Sequence, residues 1–529
     1  MTDNTMHLVN SRKSSTKHPA SRAASISDGD VVGEAQITIG GHVAELPQRF
    51  SAFSMLTFAF AILNSWIGYV GVFTTVIYMG GLATAAWAPL VAAIPCFIIT
   101  CGLAELASAF PSTGGQYHYA FMVSPPRLRR PIAFTTGWLS IFAYLFTISS
   151  ASLFVVQTLF QLVTTQMGDF EPERWQTWLV YTGLLVFATA TVSLFPKALP
   201  KLQTAMFWFS VLALGVISIT LLAISPTKQP ASMVFTKWTN QSGWSDGFSF
   251  ILSIGQCMWL YTCVDTATHV SEEVPNPGKN VPIAMLATVG LGIASTILFS
   301  FSMLFSSQDF DRISTSSLPM YELYLQATQK TSLAITFSAW LILIYTGTVF
   351  GLIVTTGNLI WAFSRDQGIP FSRFFVKIHP RLKVPMNANI AASTFCILYG
   401  LVYIGSSVAF NVFISTSILS LNMSYAIPQV MLLFGDRTKL LPRRYLSLGN
   451  YLGPFCNAFT GLWVVLFMVL FCFPLFIPTT AATMSYVSVV VTAMLLFCAA
   501  LWWGGKRNGF NGPALNPDGS FVSHQIIIQ

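Results

Sequence analysis

Residues 51–104 read SAFSMLTFAFAILNSWIGYVGVFTTVIYMGGLATAAWAPLVAAIPCFIITCGLA, without a single Asp, Glu, Lys or Arg. A hydrocarbon core about 30 Å thick takes about 20 apolar residues of helix, so this stretch is long enough for two transmembrane helices. It lacks the alternating apolar and polar residues of a membrane β-strand. The stretch therefore predicts α-helices, which satisfy their own backbone hydrogen bonds within the bilayer.

Similar uncharged runs recur along the 529-residue chain, in which 53% of residues are hydrophobic and 9% charged. Soluble domains carry about 25% charged residues. The runs predict an all-α integral membrane protein with twelve transmembrane helices in one domain, residues 48–504. We place the spans near 51–78, 82–108, 131–163, 177–195, 201–225, 247–271, 283–306, 332–362, 387–405, 409–434, 457–478 and 483–503.

The distribution of positive charge predicts the orientation. If the amino terminus is inside, every Lys and Arg lies in a segment on the inner side except Arg174, Lys228, Lys237, Arg312 and Lys330. Because positive residues beside a span resist translocation, both termini are predicted to be cytosolic in a multi-pass protein of the plasma membrane. The net charge of +8 reflects this bias. No basic cluster is interleaved with aromatic residues in a soluble segment, so the expected partner is the lipid bilayer and not nucleic acid.

The segments outside the spans carry few signals. Residues 1–47 are predicted to form a disordered cytosolic tail, and residues 505–529 a second cytosolic tail. The eight cysteines lie in or beside spans without disulfide or zinc spacing, so we expect no disulfide framework and no metal site. The loop near residues 226–246 is predicted to face outward, where Asn240 begins a glycosylation acceptor pattern.

Nucleotide-binding loops and the HExxH and GxSxG motifs are missing from the sequence, so an enzyme is not expected. Repeated helical bundles commonly transport solutes, with a site at the midplane where helices are interrupted. A nutrient-sensing receptor on a transporter scaffold is the alternative. The short tails disfavour this alternative, because sensing usually requires a large cytosolic signalling segment.

Two clusters of glycine and polar residues predict such interruptions. They occupy the first and sixth spans, the opening helices of a five-plus-five inverted repeat. The first runs from Asn64 to Gly71 and contains the polar Asn64 and Ser65 with Gly68 and Gly71. An unwound segment around Gly68 is favoured over glycine acting only in close helix packing. The second runs from Gly255 to Asp265.

Candidate solute contacts follow from these clusters and from the aromatic residues near them. No Lys or Arg lies mid-span, so a carboxylate would bind free N–H groups at helix ends. An ammonium would face aromatic rings, each contributing about 0.5 to 2 kcal/mol, unless these rings serve lipid-facing packing. The candidate residues are Ser65, Trp66, Gly68, Tyr69, Gly71, Trp138, Trp259, Tyr261, Cys263, Asp265 and Asn422.

Several polar residues in the spans have two interpretations. Asp265 and His269 lie one helical turn apart and form either a proton-coupling or solute-contacting pair or a polar cap at the cytosolic end of the span, and the cap is favoured for His269. For Glu105 a structural tie to a neighbouring loop is favoured over a proton site. Asn422 either lines the path or forms interhelical hydrogen bonds. Thr355 and Thr356 would offer hydroxyl ligands to sodium, but two threonines do not establish sodium coupling.

Four stretches together resemble the amino acid/choline transporter group of the amino acid-polyamine-organocation superfamily, which includes fungal choline and γ-aminobutyrate permeases. They are AELASAFPSTGGQYHY (104–119), DTATHVSEEVPNPGKNVP (265–282), AFSRDQGIPFS (362–372) and VPMNAN (384–389). The resemblance covers residues 46–509. It is specific because all four stretches occur in the right order and at the right spacing.

The resemblance implies a secondary active transporter, a permease that moves a small amino acid, amine or choline-like solute by alternating access, without a cofactor and coupled to protons. It implies a central site between the first, third, sixth, eighth and tenth spans, with breaks at 65–71 and 261–265. This sequence departs from the family where Cys263 and Val264 replace a glycine and an aromatic residue. The departure puts the solute in question more than the fold.

Overall fold

The computed structural model describes residues 45–168, 170–316, 318–405, 407–480 and 484–513. These residues form helices and connecting loops, with no strand among them. Only residues 45–47 of the predicted amino-terminal tail and residues 505–513 of the predicted carboxy-terminal tail fall within the described ranges. The rest of both predicted tails lies outside the described residues.

The long helices account for the predicted crossings. Their bounds are Ala52–Leu63, Ser65–Ala109, Arg129–Met167, Arg174–Leu194, Leu199–Ile224, Asp246–Cys257, Pro277–Ser306, Thr331–Arg365, Met386–Gly405, Ser407–Leu433, Gly449–Leu470 and Val487–Leu501. Shorter α-helices cover Gln116–Val123, Ala231–Thr236, Phe310–Thr315, Pro319–Thr328, Ser372–Phe375, Arg437–Leu440 and Arg507–Gly509, with 3₁₀ turns at Met258–Tyr261 and Thr266–Glu273 and a π turn at Trp502–Lys506.

Ten stretches of described helix are long and apolar enough to cross a membrane. One of them, Ala52–Ala109, is 58 residues long and turns at Gly80 and Gly81, whose backbone angles are not helical, so it makes two crossings. The 27-residue helix Ser407–Leu433 adds another crossing. The twelve predicted spans are thus confirmed, although the eleventh begins at Gly449, earlier than predicted.

The first span is broken at Asn64. This residue has a left-handed backbone (φ 30°, ψ 61°), which asparagine tolerates better than most residues. It ends the helix Ala52–Leu63, and the next helix begins at Ser65. The predicted break in the first span is confirmed, but its predicted position around Gly68 is wrong, since residues 65–71 are helical. The left-handed bend at Asn64 already separates the two helices, and beyond it Gly68 resumes the helical pattern by donating its N–H to the Asn64 carbonyl over 3.0 Å.

The sixth span is broken at the predicted place, between Tyr261 and Asp265. A 3₁₀ turn ends at Tyr261, Thr262 is extended, and Cys263 has a positive φ of 68°. A second 3₁₀ turn then covers Thr266–Glu273. Interruptions therefore fall in the first and sixth spans, five spans apart, as an inverted repeat requires.

One end of the bundle carries buried ion pairs, and we call it the basic end, defined by Arg49, Arg365, Arg437 and Arg444. Arg365 pairs with Glu272 at 3.0 Å, and Arg49 with Glu273 at 3.5 Å. Arg444 and Arg437 both pair with Glu105. These residues stand before odd-numbered spans or after even-numbered spans, so the alternating course of twelve crossings brings them to one side.

Candidate functional site

The two broken helices border one small cavity of about 30 Å³. Residues of the first, third, sixth and eighth spans line it. They are Ile62, Leu63, Asn64, Ile67, Gly68, Thr147, Ala151, Trp259, Thr262, Cys263, Tyr345, Thr348 and Leu352. Since none of these side chains is charged, a solute here meets backbone dipoles, hydroxyls, an amide and aromatic rings.

Asn64 contributes a lining side-chain donor that is buried without a protein partner. Its Oδ1 accepts a hydrogen bond from Ser210 Oγ at 3.1 Å, and that hydroxyl in turn accepts one from Trp66 Nε1 at 2.9 Å. Because the indole N–H can only donate, the Ser210 hydrogen is free to point at Asn64. This chain fixes the orientation of the amide, and Asn64 Nδ2 is left buried and unpaired.

The hydroxyls around the cavity are committed to the protein. Tyr345 donates to the Ile67 carbonyl at 2.7 Å, and Thr348 donates to the Ala61 carbonyl at 2.8 Å. Both contacts tie the eighth span to the broken first span. The hydroxyls of Thr147 and Thr262 bond to carbonyls of their own helices, each one turn earlier.

The sixth-span side of the cavity is formed by Trp259, Thr262 and Cys263. Cys263 is buried with a left-handed backbone, where a side chain is disfavoured and glycine is not. Trp259 lies beside Phe154 of the third span, with ring centroids 6.2 Å apart. Aromatic surface and a small thiol therefore lie opposite Asn64.

Three of the sequence-predicted contacts, Gly68, Trp259 and Cys263, line this cavity. Gly68 allows close approach of the sixth span, because a Cβ there would lie 3.4 Å from Leu260 Cα. Gly71 does not line the cavity but faces Phe154, whose ring is 3.1 Å from the position of an added Cβ.

The other predicted contacts of the first span face away from the cavity. Ser65 lies against Gly292 of the seventh span. The Trp66 ring packs on Phe299 of the same span, with centroids 4.9 Å apart. Tyr69 donates its hydroxyl to the Ala85 carbonyl at 2.8 Å. These side chains hold the first span against its neighbours.

The remaining predicted aromatic and amide contacts also lie outside the lining. Tyr261 donates to the Pro89 carbonyl at 3.2 Å, and Trp138 packs edge-on against Phe497 at 5.0 Å. Asn422 donates to the Ile418 carbonyl within its own helix at 2.8 Å. The tenth span, which the resemblance includes in the site, contributes no described residue to the lining, and its Ser417 hydroxyl lies 2.5 Å from that of Thr147.

Asp265 lies two residues beyond Cys263 and is completely buried. Its Oδ1 accepts from Tyr144 at 2.7 Å and from Tyr425 at 2.5 Å. Its Oδ2 faces Gln116 Nε2 at 2.5 Å and His269 Nε2 at 3.0 Å. The carboxyl group thus joins the third, sixth and tenth spans to the short helix Gln116–Val123.

The imidazole orientation follows from its second partner. His269 Nδ1 lies 2.9 Å from the Thr113 carbonyl oxygen, so Nδ1 carries a hydrogen. Two lone pairs facing each other at 3.0 Å would repel, so a further proton lies between His269 Nε2 and Asp265 Oδ2. The pair shares one buried proton, and its use as a proton-coupling pair stays a prediction.

Glu105 forms the structural tie that its sequence context favours. Its Oε1 accepts from Arg444 Nη2 at 2.7 Å and from the Leu448 N–H at 3.1 Å, while Arg437 reaches Oε2. The carboxylate fastens the end of the second span to the loop before the eleventh.

Of the two threonines considered as sodium ligands, Thr356 donates to the Leu352 carbonyl at 2.7 Å, and Thr355 Oγ1 is buried without a partner. Among the described residues no group of His, Cys, Asp and Glu has the arrangement of a metal site.

Asn240 lies in a turn at the end of the bundle opposite the basic end. Its Nδ2 donates to the Trp244 carbonyl at 2.6 Å and to Asp246 at 3.1 Å. A glycan on this nitrogen would leave one hydrogen for one of these bonds. The glycosylation of Asn240 stays a prediction.

Sequence reasoning missed Asn64, Thr147, Tyr345 and Thr348 as lining residues. Asn64 carried a usable signal, because asparagine within an apolar run combines a polar side chain with tolerance of the left-handed conformation. The others carried none, since threonine and tyrosine are common in membrane helices and their direction depends on packing.

Comparison with known proteins identifies a matching family profile and several similar sequences. A family profile described as amino acid permease matches residues 53–504. The chain is similar to a choline transporter of Saccharomyces cerevisiae, with 31% identity over 90% of this chain and 85% of the relative. It is also similar to a swainsonine transporter of Arthroderma benhamiae (29% identity; 90% and 95% covered) and to an amino-acid permease of Arabidopsis thaliana (25%; 92% and 96%).

Proposed function

The chain belongs to the amino acid permease family, and on that premise we propose that it moves a small amine-bearing solute, choline-like or an amino acid, across a membrane by alternating access. Relatives named for choline and for amino acids support this solute class. The observation that carries the proposal is the uncharged cavity onto which both broken spans open.

The helix ends at the break suit a solute that carries a positive charge. The helix Ala52–Leu63 ends at Asn64 and presents the carbonyl, negative end of its dipole there. Trp259 adds an aromatic surface, which attracts ammonium and quaternary amine groups. These two features accommodate a cation without a buried carboxylate in the lining.

Access to the cavity from the basic end is closed by contacts between the first, sixth and eighth spans. The N–H groups of Arg49 and Phe50 both donate to the Glu273 carbonyl at 3.0 Å. Asn358 of the eighth span donates to the Glu273 carboxylate at 3.0 Å. Separation of these contacts would open a path from the cavity to the basic end, which we assign to the cytosol because of its positive charge.

Coupling to protons is assigned to the pair of Asp265 and His269. The pair holds one proton without access to water, and it is two residues from the cavity-lining Cys263. Movement of the sixth span between two states would change the exposure of this proton together with that of the solute. Asp265→Asn removes the charge and keeps the size of the side chain, so it is expected to abolish accumulation driven by a pH gradient while solute exchange continues.

The test is counterflow of labelled choline, glycine betaine and γ-aminobutyrate in proteoliposomes, with and without a pH gradient. Exchange supports a transporter, and binding without exchange would instead favour the sensing receptor. Trp259→Ala should weaken uptake of cationic solutes by about 2- to 30-fold, as expected from a cation–π contact of about 0.5 to 2 kcal/mol. Trp208→Ala is the matched control, because Trp208 is 56% exposed on the outside of the bundle. Equal uptake by both variants would contradict the proposed site.

A further inference from the structure

We propose that Asn64 recognises an acceptor oxygen on the solute, so that the transported compound carries a hydroxyl or carboxylate oxygen close to its amine. This inference rests on the proposed transport function and narrows its solute class. It selects hydroxyalkyl amines, betaines and amino acids over amines that lack oxygen.

The first observation is the unpaired amide nitrogen. Asn64 is 2% exposed, it lines the cavity, and its Nδ2 has no partner. A buried donor without an acceptor is destabilising, and most such groups in proteins are satisfied by protein, water or ligand. A solute oxygen in the cavity would supply the missing acceptor.

The second observation is that neighbouring side chains orient the amide. Asn64 Oδ1 is held by the Ser210 hydroxyl, which is held in turn by the Trp66 indole. Asn64 precedes the helix that begins at Ser65, but its side chain makes no capping bond to that helix. The amide is therefore positioned by the fifth span for some other use.

The third observation concerns the backbone beside this amide. Ser65 and Trp66 open a helix, and the first N–H groups of a helix have no carbonyl within the helix to bond. This positive end favours an oxygen with negative charge or a lone pair. The carbonyl end of the preceding helix and Trp259 remain for the amine. One break thus offers separate places for the two ends of a small polar solute.

The lining hydroxyls offer no equivalent donor, so the indole N–H of Trp259 is the other side-chain donor that the lining presents. The hydroxyls of Thr147, Thr262, Thr348 and Tyr345 already donate to backbone carbonyls at 2.7 to 2.9 Å. Rotation of any one of them toward the solute would leave its carbonyl acceptor unpaired. Among the amide and hydroxyl groups of the lining, discrimination for oxygen is therefore expected to depend on Asn64.

The experiment compares pairs of solutes with and without the oxygen-bearing group, one pair of equal charge and one pair in which the carboxylate charge is also removed. Choline is paired with propyltrimethylammonium, in which a methyl group replaces the hydroxyl, and γ-aminobutyrate is paired with butylamine. Each is measured as a competitor of labelled choline or γ-aminobutyrate uptake in proteoliposomes. The unvaried protein should prefer the oxygen-bearing member by about 5- to 100-fold, since loss of a partner leaves a buried donor unpaired.

Asn64→Gly should reduce that preference to within about 3-fold, because glycine keeps the left-handed backbone and removes the amide. Asn64→Asp is the second variant, which retains the acceptor for Ser210 and loses the donor, and it should reject carboxylate solutes. Asn457→Ala is the matched control: Asn457 is also buried with an unpaired amide, but it lies in the eleventh span outside the cavity lining. The Asn457→Ala variant should prefer the oxygen-bearing solutes to the same degree as the unvaried protein.

The outcomes separate the two proposals. Transport of both members of each pair with equal affinity would overturn the role of Asn64 and leave the transport function standing. A preference that survives in both Asn64 variants would overturn it as well. Absence of exchange for every solute would overturn the proposed function and the inference together.

Discussion

Replacement of Glu105 by glutamine should destabilise the protein more than any other single change of charge at the basic end. Glu105 is 1% exposed and accepts hydrogen bonds from Arg437, Arg444 and the Leu448 N–H. Glutamine retains one acceptor oxygen, but its amide would face a guanidinium with a second donor. Loss of one partner from a buried ion pair costs about 3 to 5 kcal/mol.

The electrostatics of the two arginines reinforce this expectation. Burial, and to a smaller extent the neighbouring Arg444 charge, lower the pKa of Arg437 to about 10. Both guanidinium groups would remain protonated near pH 7, and without the carboxylate they would repel each other. The cost therefore includes an unpaired charge and a like-charge contact.

The assay is the thermal midpoint of the detergent-solubilised protein, followed by size-exclusion chromatography of heated samples. Asp436→Asn is the control in the same loop, because Asp436 is exposed and pairs only with exposed Lys439, and asparagine can still cap the helix Arg437–Leu440. Glu105→Gln should lower the midpoint clearly and the control should leave it unchanged. If the two midpoints agree, the ion pairs at this end do not hold the loop to the second span.

Further predictions concern the cavity and the outer turn. Gly68→Leu should abolish uptake at normal surface expression, because the leucine side chain would extend toward Trp259 Cδ1, which is 3.7 Å from the Cβ position. Gly68→Ala should lose less of the uptake activity. A fully active Gly68→Leu variant would contradict the site. Cys263 has a left-handed backbone, which costs a residue with a side chain about 1 kcal/mol, and Cys263→Gly removes this cost. Glycine also stabilises the unfolded chain by a similar free energy through its greater conformational entropy, so the stability of the variant should be nearly unchanged. Competition assays should show that the variant binds bulkier quaternary amines with improved affinity. Cys263→Ala removes the thiol but keeps the backbone strain. An equal gain in affinity in this variant would show that the lost thiol alone causes the improvement. Glycosidase treatment should shift the electrophoretic mobility of the protein but not of Asn240→Gln, and an unchanged mobility of the protein would exclude the glycan.

Much of the fold was accessible from the sequence because the bilayer imposes simple rules. An uncharged run of sufficient length must form a helix, so the twelve spans could be placed, mostly to within a few residues. The sixth-span break and the structural role of Glu105 also followed from local sequence. In each case a polar group lies within an apolar span, where it is stable only beside a polar partner or at the end of a helix.

The sequence by itself determined which helices cross the membrane and which two of them are interrupted, because hydrophobic length and local backbone preference act within a single segment. Only the tertiary structure decided which side chains line the cavity. Trp66 and Trp259 have the same chemistry and both lie near a break, yet Trp66 bonds to Ser210 of the fifth span and Trp259 faces the cavity. The unpaired amide of Asn64 is likewise visible only in the fold. The direction of a side chain depends on the rotation of its helix, and that rotation is set by packing against helices far away in the chain.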